Sequence, residues 1–256
     1  MKVREMDIQL YRQCFDTLEV EREPDWQYDE AKSCGVNYNS LWQARIYDRR
    51  HRGFRDCKKE AKEIIALLGL DTDGTVLDMG CGTGAFAINA AGYFRKIYAV
   101  DISNAMLRRA RRKAKKERLV NIEFRQGGFL SYVHDAEPVD AIVSIAALHH
   151  LPDFWKIIAL KRLARMVKTG GKLYINDVVF SFDMTDYESF IKGFIRSMTD
   201  RMGDQMKKEL ETHFRQEYST FSWIMEGLLE KADFIIEKAD YREGFFATYL
   251  CKKKTE

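Results

Sequence analysis

The sequence predicts an α/β fold built on a doubly wound, mostly parallel sheet, and three observations carry that expectation. Short β-branched or apolar runs alternate with helical stretches after Gly74. A glycine-rich turn follows the first of those runs, at Gly80, Gly82 and Gly84. The chain then closes on two adjacent strand-like runs around Arg242-Glu243-Gly244, which predicts an antiparallel hairpin at the sheet edge. Right-handed crossovers limit such an alternation to a Rossmann-like topology.

The runs are Thr75–Met79, Ile97–Asp101, Ile122–Arg125, Asp140–Ile145 and Lys172–Val179. Between them lie helical stretches such as Asn104–Glu117 and Asp153–Val167. The first seventy residues read mostly helical, and Phe54–Leu70 is the clearest case, with Ala61, Ile64, Ile65 and Leu68 at helical spacing. Beyond Val179 the alternation stops. Tyr187, Phe190, Ile191, Phe194, Ile195, Met198 and Met202 form a helical stripe there. Phe221–Ala232 reads as a helix, and Phe234–Tyr241 and Phe245–Cys251 as the closing strands. The expected organisation is an N-terminal helical cap at 1–73, a cofactor-binding core at 74–180, a helical insertion or lid at 181–219, and a closing helix with hairpin at 220–256.

Composition sets the outer limits. A chain of 256 residues, 46% hydrophobic and 32% charged, can bury a core and stay in solution. No stretch of about 18 apolar residues exists, so no transmembrane helix is expected. The amino terminus carries Lys2, Arg4, Glu5 and Asp7 and no apolar leader, and the expected compartment is the cytoplasm. Cys14, Cys34, Cys57, Cys81 and Cys251 show no C-x-x-C spacing and read as free thiols. The net charge of +3 is too balanced to imply a polyanionic partner.

The chemistry concentrates in Val76-Leu77-Asp78-Met79-Gly80-Cys81-Gly82-Thr83-Gly84-Ala85, where a strand turns into a helix expected to begin near Thr83. Glycine allows positive φ and lets a ligand approach the backbone, and free N–H groups at a helix start can meet it. A second strand ends at Asp101, 17 residues after Gly84, where a carboxylate can accept both hydroxyls of a ribose. The glycines stand as G-x-G-x-G, whereas a dinucleotide loop is G-x-G-x-x-G. Asp78 would repel a pyrophosphate but suits a cationic aminoacyl group. That logic favours S-adenosylmethionine over NAD.

On these residues a resemblance becomes explicit. Asp78-Met79-Gly80-Cys81-Gly82-Thr83-Gly84 resembles motif I of class I S-adenosylmethionine-dependent methyltransferases, and Asp101 falls at their motif II acid. Ala146-Ala147-Leu148-His149-His150-Leu151-Pro152-Asp153 resembles the segment after their fourth strand in small-molecule branches. Val167-Lys168-Thr169-Gly170-Gly171-Lys172-Leu173 resembles their L-K-P-G-G-x-L turn, with Thr169 in place of proline. The likeness spans roughly 75–179 and is nearest the ubiquinone/menaquinone-biosynthesis-like branch. It implies a cofactor site of Asp78, Gly80, Cys81, Gly82, Gly84, Asp101, Ile102, Met106, Gly128, Phe129 and Ala146. One departure stands out. Gly127-Gly128 occupies the place of the family's Gly-Asp or Gly-Asn, whose side chain accepts the adenine amino group. Backbone groups and apolar walls, Phe129 among them, are expected to hold adenine instead.

His149 and His150 are the candidate catalytic residues, since a histidine at the carboxyl edge of the sheet can take a proton as methyl arrives. Adjacent histidines rarely ligate one metal without a third residue, so no metal is expected. The basic run Arg108–Lys116 reads as the solvated face of a helix before it reads as a nucleic-acid patch. Cys81 reads as a small filler in the loop, not a nucleophile. The Tyr187–Met202 stripe reads equally as core or lid, and Trp26, Tyr28, Tyr38, Trp42 and Tyr47 could close the pocket from the other side. The expected activity is in-line methyl transfer to a small-molecule acceptor, with no membrane partner and the oligomeric state left open. An RNA methyltransferase, a non-catalytic cofactor-binding protein and an NAD enzyme are the rival readings.

Overall fold

A computed structural model describes residues 26–32, 34, 35, 45 and 55–255. In chain order, the larger elements are α1 (Cys57–Leu68), β1 (Thr75–Met79), α2 (Ala85–Ala90), β2 (Lys96–Asp101), α3 (Asn104–Lys116), β3 (Ile122–Gln126), β4 (Val139–Ile145), α4 (Asp153–Met166) and β5 (Val167–Phe180). They continue with α5 (Tyr187–Met202), α6 (Asp204–Gln216), β6 (Thr220–Phe221), α7 (Ser222–Lys231), β7 (Phe234–Arg242) and β8 (Phe246–Lys253). The main sheet runs β3-β2-β1-β4-β5-β8-β7, with β6 paired to β5 off that path. Strands β1 to β5 pair in parallel, and β8 is antiparallel to both β5 and β7. The expected doubly wound sheet with its closing hairpin is present.

The strands read clearly because a sheet covered on both faces needs apolar residues on both. In β1, Leu77 and Met79 join one core with Ile142, Leu173 and Tyr249, under Leu160 and Leu163 of α4 and Met225 and Leu229 of α7. Val76 joins the opposite core with Ile97, Ala99 and Val143, under Ile64 of α1 and Phe86 of α2. Edge strand β3 is more exposed, and Glu123 there pairs with Lys96 at 2.6 Å and Arg125 at 2.5 Å.

Local chemistry trims the predicted bounds. The expected Phe54–Leu70 helix begins only at Cys57, after Asp56 accepts from the Lys58 and Lys59 N–H groups, and it ends at Gly69 with φ 60°. The helix expected near Thr83 begins at Ala85, with left-handed Gly84 before it. β5 starts upstream of the expected Lys172, at Val167. The insertion holds two helices: the predicted stripe is α5, and the polar segment after it is α6, which packs against α5. Earlier expected helices fall outside the described residues, and the Trp26–Lys32 stretch is turns and coil.

Candidate active site

The strand order reverses between β1 and β4, and ligand crevices in such sheets open there, beyond the carboxyl ends of the strands. A cavity of about 560 Å³ lies at this point. Gly80, Cys81, Gly82 and Thr83 form part of its wall, and Asp78, Asp101, Ile102, Met106, Gly128, Phe129 and Ala146 line it too. Of the expected cofactor residues only Gly84 is absent from that wall.

The glycines divide the labour. A Cβ on Gly80 would lie 2.4 Å from Ala147 Cβ, so Gly80 admits the loop after β4. One on Gly84 would press on Ala110 and Ile88 at 3.1 Å, so Gly84 admits α3. Gly82, with φ +54°, meets nothing within 4 Å and leaves the backbone open toward a ligand. Ala146 holds φ +50° without being glycine, a strained conformation at the cavity wall, with its N–H on the Asn176 carbonyl at 2.8 Å.

Asp101 accepts from the Gly82 N–H at 2.7 Å and the Ser103 N–H at 2.8 Å. The cap of α3 is Ser103, which accepts from Met106 N–H, and not Asp101. Burial raises the Asp101 carboxyl above its ordinary value, against the pull of those two N–H groups. Asp78 accepts from the Ala87 N–H at 3.3 Å, and burial pushes it up to about 7, with the Asp101 charge adding to the rise. Cys81 is buried, its thiol is pushed well up by burial, and it remains protonated as a filler.

Gly128 departs from the expectation. Glu30 fills the space beside it: a Cβ at position 128 would lie 2.3 Å from Glu30 Oε2. That carboxylate accepts from Leu130 N–H at 3.0 Å, Ser131 N–H at 2.8 Å and Ser131 Oγ at 2.7 Å. The wall beside Phe129 therefore has an acid after all, brought from the amino-terminal segment. Nothing in local sequence pairs residue 30 with residue 128.

His149, His150, Asn176 and Asp177 also line the cavity, as do Met198 and Arg201 of α5. His149 Nδ1 lies 2.5 Å from Asp177 Oδ1, and its Nε2 lies 3.3 Å from Glu217 Oε2. Burial alone would lower His149, but the Asp177 and Glu217 carboxylates outweigh it and raise it to about 10. Burial also pulls on Asp177 and Glu217, yet both are held low, Asp177 by His149 and Glu217 by His149 and His213. His150 is pushed down to about 3 by burial and then by the charge of His149, so it is neutral. Cys34 Sγ lies 3.4 Å from His150 Nδ1. The two candidate histidines are thus unlike: one sits between carboxylates, while its neighbour faces a thiol.

Residues 26–32, 34 and 35 reach these histidines, where the Tyr28 hydroxyl donates to the His150 carbonyl at 3.4 Å. Trp26 stacks on Trp155 at 6.3 Å, and Tyr28 meets Tyr218 edge-on at 6.3 Å. These two aromatics dock the segment, whereas Glu30, Ala31, Lys32 and Cys34 line the cavity. Tyr38, Trp42 and Tyr47 lie outside the described residues. The α5 stripe also splits: Phe190 and Phe194 pack on Phe245 at 5.4 and 3.7 Å, and Met198 reaches the cavity. On α3, Arg108, Arg111 and Arg112 are exposed on the outer face.

Residues 76–171 match a family model described as a methyltransferase domain. Residues 76–171 thus carry a methyltransferase domain, on a fold shared with S-adenosylmethionine-dependent methyltransferases. An uncharacterized methyltransferase of Bacillus mycoides is 27% identical over 206 residues, covering 78% of this chain and 91% of that one. In fold, the methyltransferase resembles an S-adenosylmethionine-dependent methyltransferase from Clostridium acetobutylicum, with TM-score 0.61, 17% identity and coverage of 83% and 98% of the two chains. It also resembles magnesium protoporphyrin IX methyltransferase from Synechocystis with S-adenosylhomocysteine bound, with TM-score 0.60, 15% identity and coverage of 84% and 97%.

The residues of this chain fit the donor. Gly82 leaves open backbone, Asp101 offers a carboxylate for ribose hydroxyls, and Asp78 one for the ammonium. Arg55, also on the wall and missed in the sequence, brings a cation there that is paired with Glu60 at 2.6 Å. Among the described residues no helix is long and apolar enough to cross a membrane.

Proposed function

We propose that this methyltransferase transfers its methyl group to a compact, partly apolar small molecule bound between the donor and the His149–His150 wall. One observation carries the reading. The cavity that must hold donor and acceptor together is about 560 Å³, within the range of roughly 300–1,000 Å³ of small-molecule sites, and Glu30, Lys32, Cys34 and Met198 from outside the sheet form part of its wall. The exposed arginines of α3 project from the outer face and not into the cavity.

In this reading adenine lies among Ile102, Met106 and Phe129, with its amino group toward Glu30. The ribose hydroxyls meet Asp101, and the aminoacyl end lies between Asp78 and Arg55. The donor supplies an electrophilic methyl on a good leaving group. The protein's part is therefore approach, orientation and exclusion of water. His150 and Asn176 border the acceptor.

The test is to incubate the chain with methyl-labelled S-adenosylmethionine and a cell extract separated into small-molecule, RNA and protein fractions. Label in the small-molecule fraction supports the proposal. Label confined to RNA or protein overturns it, as does donor binding with no transfer to any fraction.

A further inference from the structure

We infer that His149, His150 and Glu217 form a binding site for a divalent transition-metal ion of the zinc class, at the acceptor end of the cavity. The sequence offers two adjacent histidines and no third ligand. The fold supplies it: one ligand atom from each of the three residues lies within 4.8 Å of the others. Two imidazoles and a carboxylate are the donor set of zinc sites that keep a coordination position open.

The geometry is closest where it can be read most finely. An ion at about 2.05 Å from two atoms at a tetrahedral angle requires them to be about 3.4 Å apart. His149 Nε2 and Glu217 Oε2 are 3.3 Å apart. The ligands are also oriented from behind. Asp177 takes His149 Nδ1 at 2.5 Å, the carboxylate–histidine arrangement that turns the other ring nitrogen toward a metal. Asp177 is itself fixed by the Leu148 N–H at 2.8 Å and the Val178 N–H at 2.7 Å. His213 Nδ1 pairs with Glu217 Oε2, the oxygen that also faces His149 Nε2, so an ion there takes the place of that pairing, while Cys34 Sγ lies against His150 Nδ1. The loop carrying Glu217 is tied to His149 as well, through the Tyr218 N–H on the His149 carbonyl at 2.9 Å.

Gly35 makes room for this arrangement, since a Cβ there would stand 2.0 Å from Glu217 Oε1. His149 and His150 face the cavity, so an ion held there presents its open position to whatever the cavity contains. On the reading of the cavity proposed above, that position meets the acceptor's oxygen, nitrogen or sulfur atom. The binding itself does not depend on that reading.

The experiment uses the full chain without donor or acceptor. After dialysis against a chelator, Zn²⁺ and Co²⁺ are titrated by calorimetry, and the Co²⁺ form is read by its ligand-field absorption. The inference predicts about one ion per chain, bound at micromolar concentration or tighter, with the intense bands of low-coordinate cobalt. Glu217→Gln and His150→Ala should each abolish that binding, and Asp177→Asn should weaken it by roughly 10–100-fold. His134→Ala, at a histidine bonded to Tyr132 and the Glu137 carbonyl, should change nothing. Circular dichroism establishes that each variant is folded, and His150→Ala, at a half-buried position, serves if Glu217→Gln is not. No uptake by the wild-type chain, or equal uptake by both ligand variants, overturns the site. Methyl transfer by a metal-free chain would overturn the ion's contact with the acceptor and leave the methyl-transfer reading standing.

Discussion

Glu30 occupies the place that a side chain at Gly128 would take, with Oε2 lying 2.3 Å from the position of the missing Cβ. A carboxylate 98 positions upstream thereby stands in the loop after β3. If it accepts the adenine amino group, Glu30→Ala should weaken S-adenosylhomocysteine binding by about 1.5–3 kcal/mol, the usual worth of a hydrogen bond to a charged group. An analogue carrying oxygen in place of that amino group should show almost no loss. Calorimetry with both ligands decides it, and equal losses would make Glu30 a staple for the loop only.

The same relationship predicts non-additivity. Gly128→Ala puts a methyl group where the Glu30 carboxylate sits, so it should weaken S-adenosylhomocysteine binding to a similar extent. Combined with Glu30→Ala it should add little, because the group it displaces is gone. Additive losses in the double variant would contradict the shared space.

Donor binding should depend on pH through Asp78. Burial raises its carboxyl from 3.8 to about 7, so between these values the folded chain holds a proton that the unfolded chain has released. The folded state then binds more protons, and this group's contribution to stability falls as pH rises through that window. An ammonium pairs with the ionised carboxylate. Affinity for S-adenosylhomocysteine should therefore rise with pH up to about 7 and level off above it. Asp78→Asn should bind more weakly, with a flatter profile, because Asp101 still titrates. Calorimetry across that range for both proteins checks the sign.

Lys156 anchors the loop that carries Glu217. It is 2% exposed and donates to Asp153 Oδ1 at 2.7 Å and to the Tyr218 carbonyl. Lys156→Ala removes both bonds and leaves a cavity beside the core, which should cost about 2–4 kcal/mol in chemical denaturation. An unchanged midpoint would show that the loop is held by other contacts.

Most of the fold could be read because its strands are buried on both faces: Thr75–Met79 has the predicted bounds, and its neighbours shift by a residue or so at an end. The glycine loop and Asp101 were equally legible, since a nucleoside site needs them close in sequence. α6 was not read, because Asp204–Gln216 packs one side on α5 and keeps most of its polar residues in water. The Glu30–Gly128 and His149–Glu217 relationships were hidden for another reason. Each joins residues far apart in the chain, and only the closed fold brings them together.

The central claim is that the cavity beyond β1 and β2 takes S-adenosylmethionine through the glycine loop and Asp101. The direct measurement is a calorimetric titration with S-adenosylhomocysteine beside NAD, repeated on Asp101→Ala. The account predicts micromolar or tighter binding of the first ligand, none of NAD, and a loss of about 1.5–3 kcal/mol in the variant. Indifference to S-adenosylhomocysteine, or a preference for NAD, would contradict it.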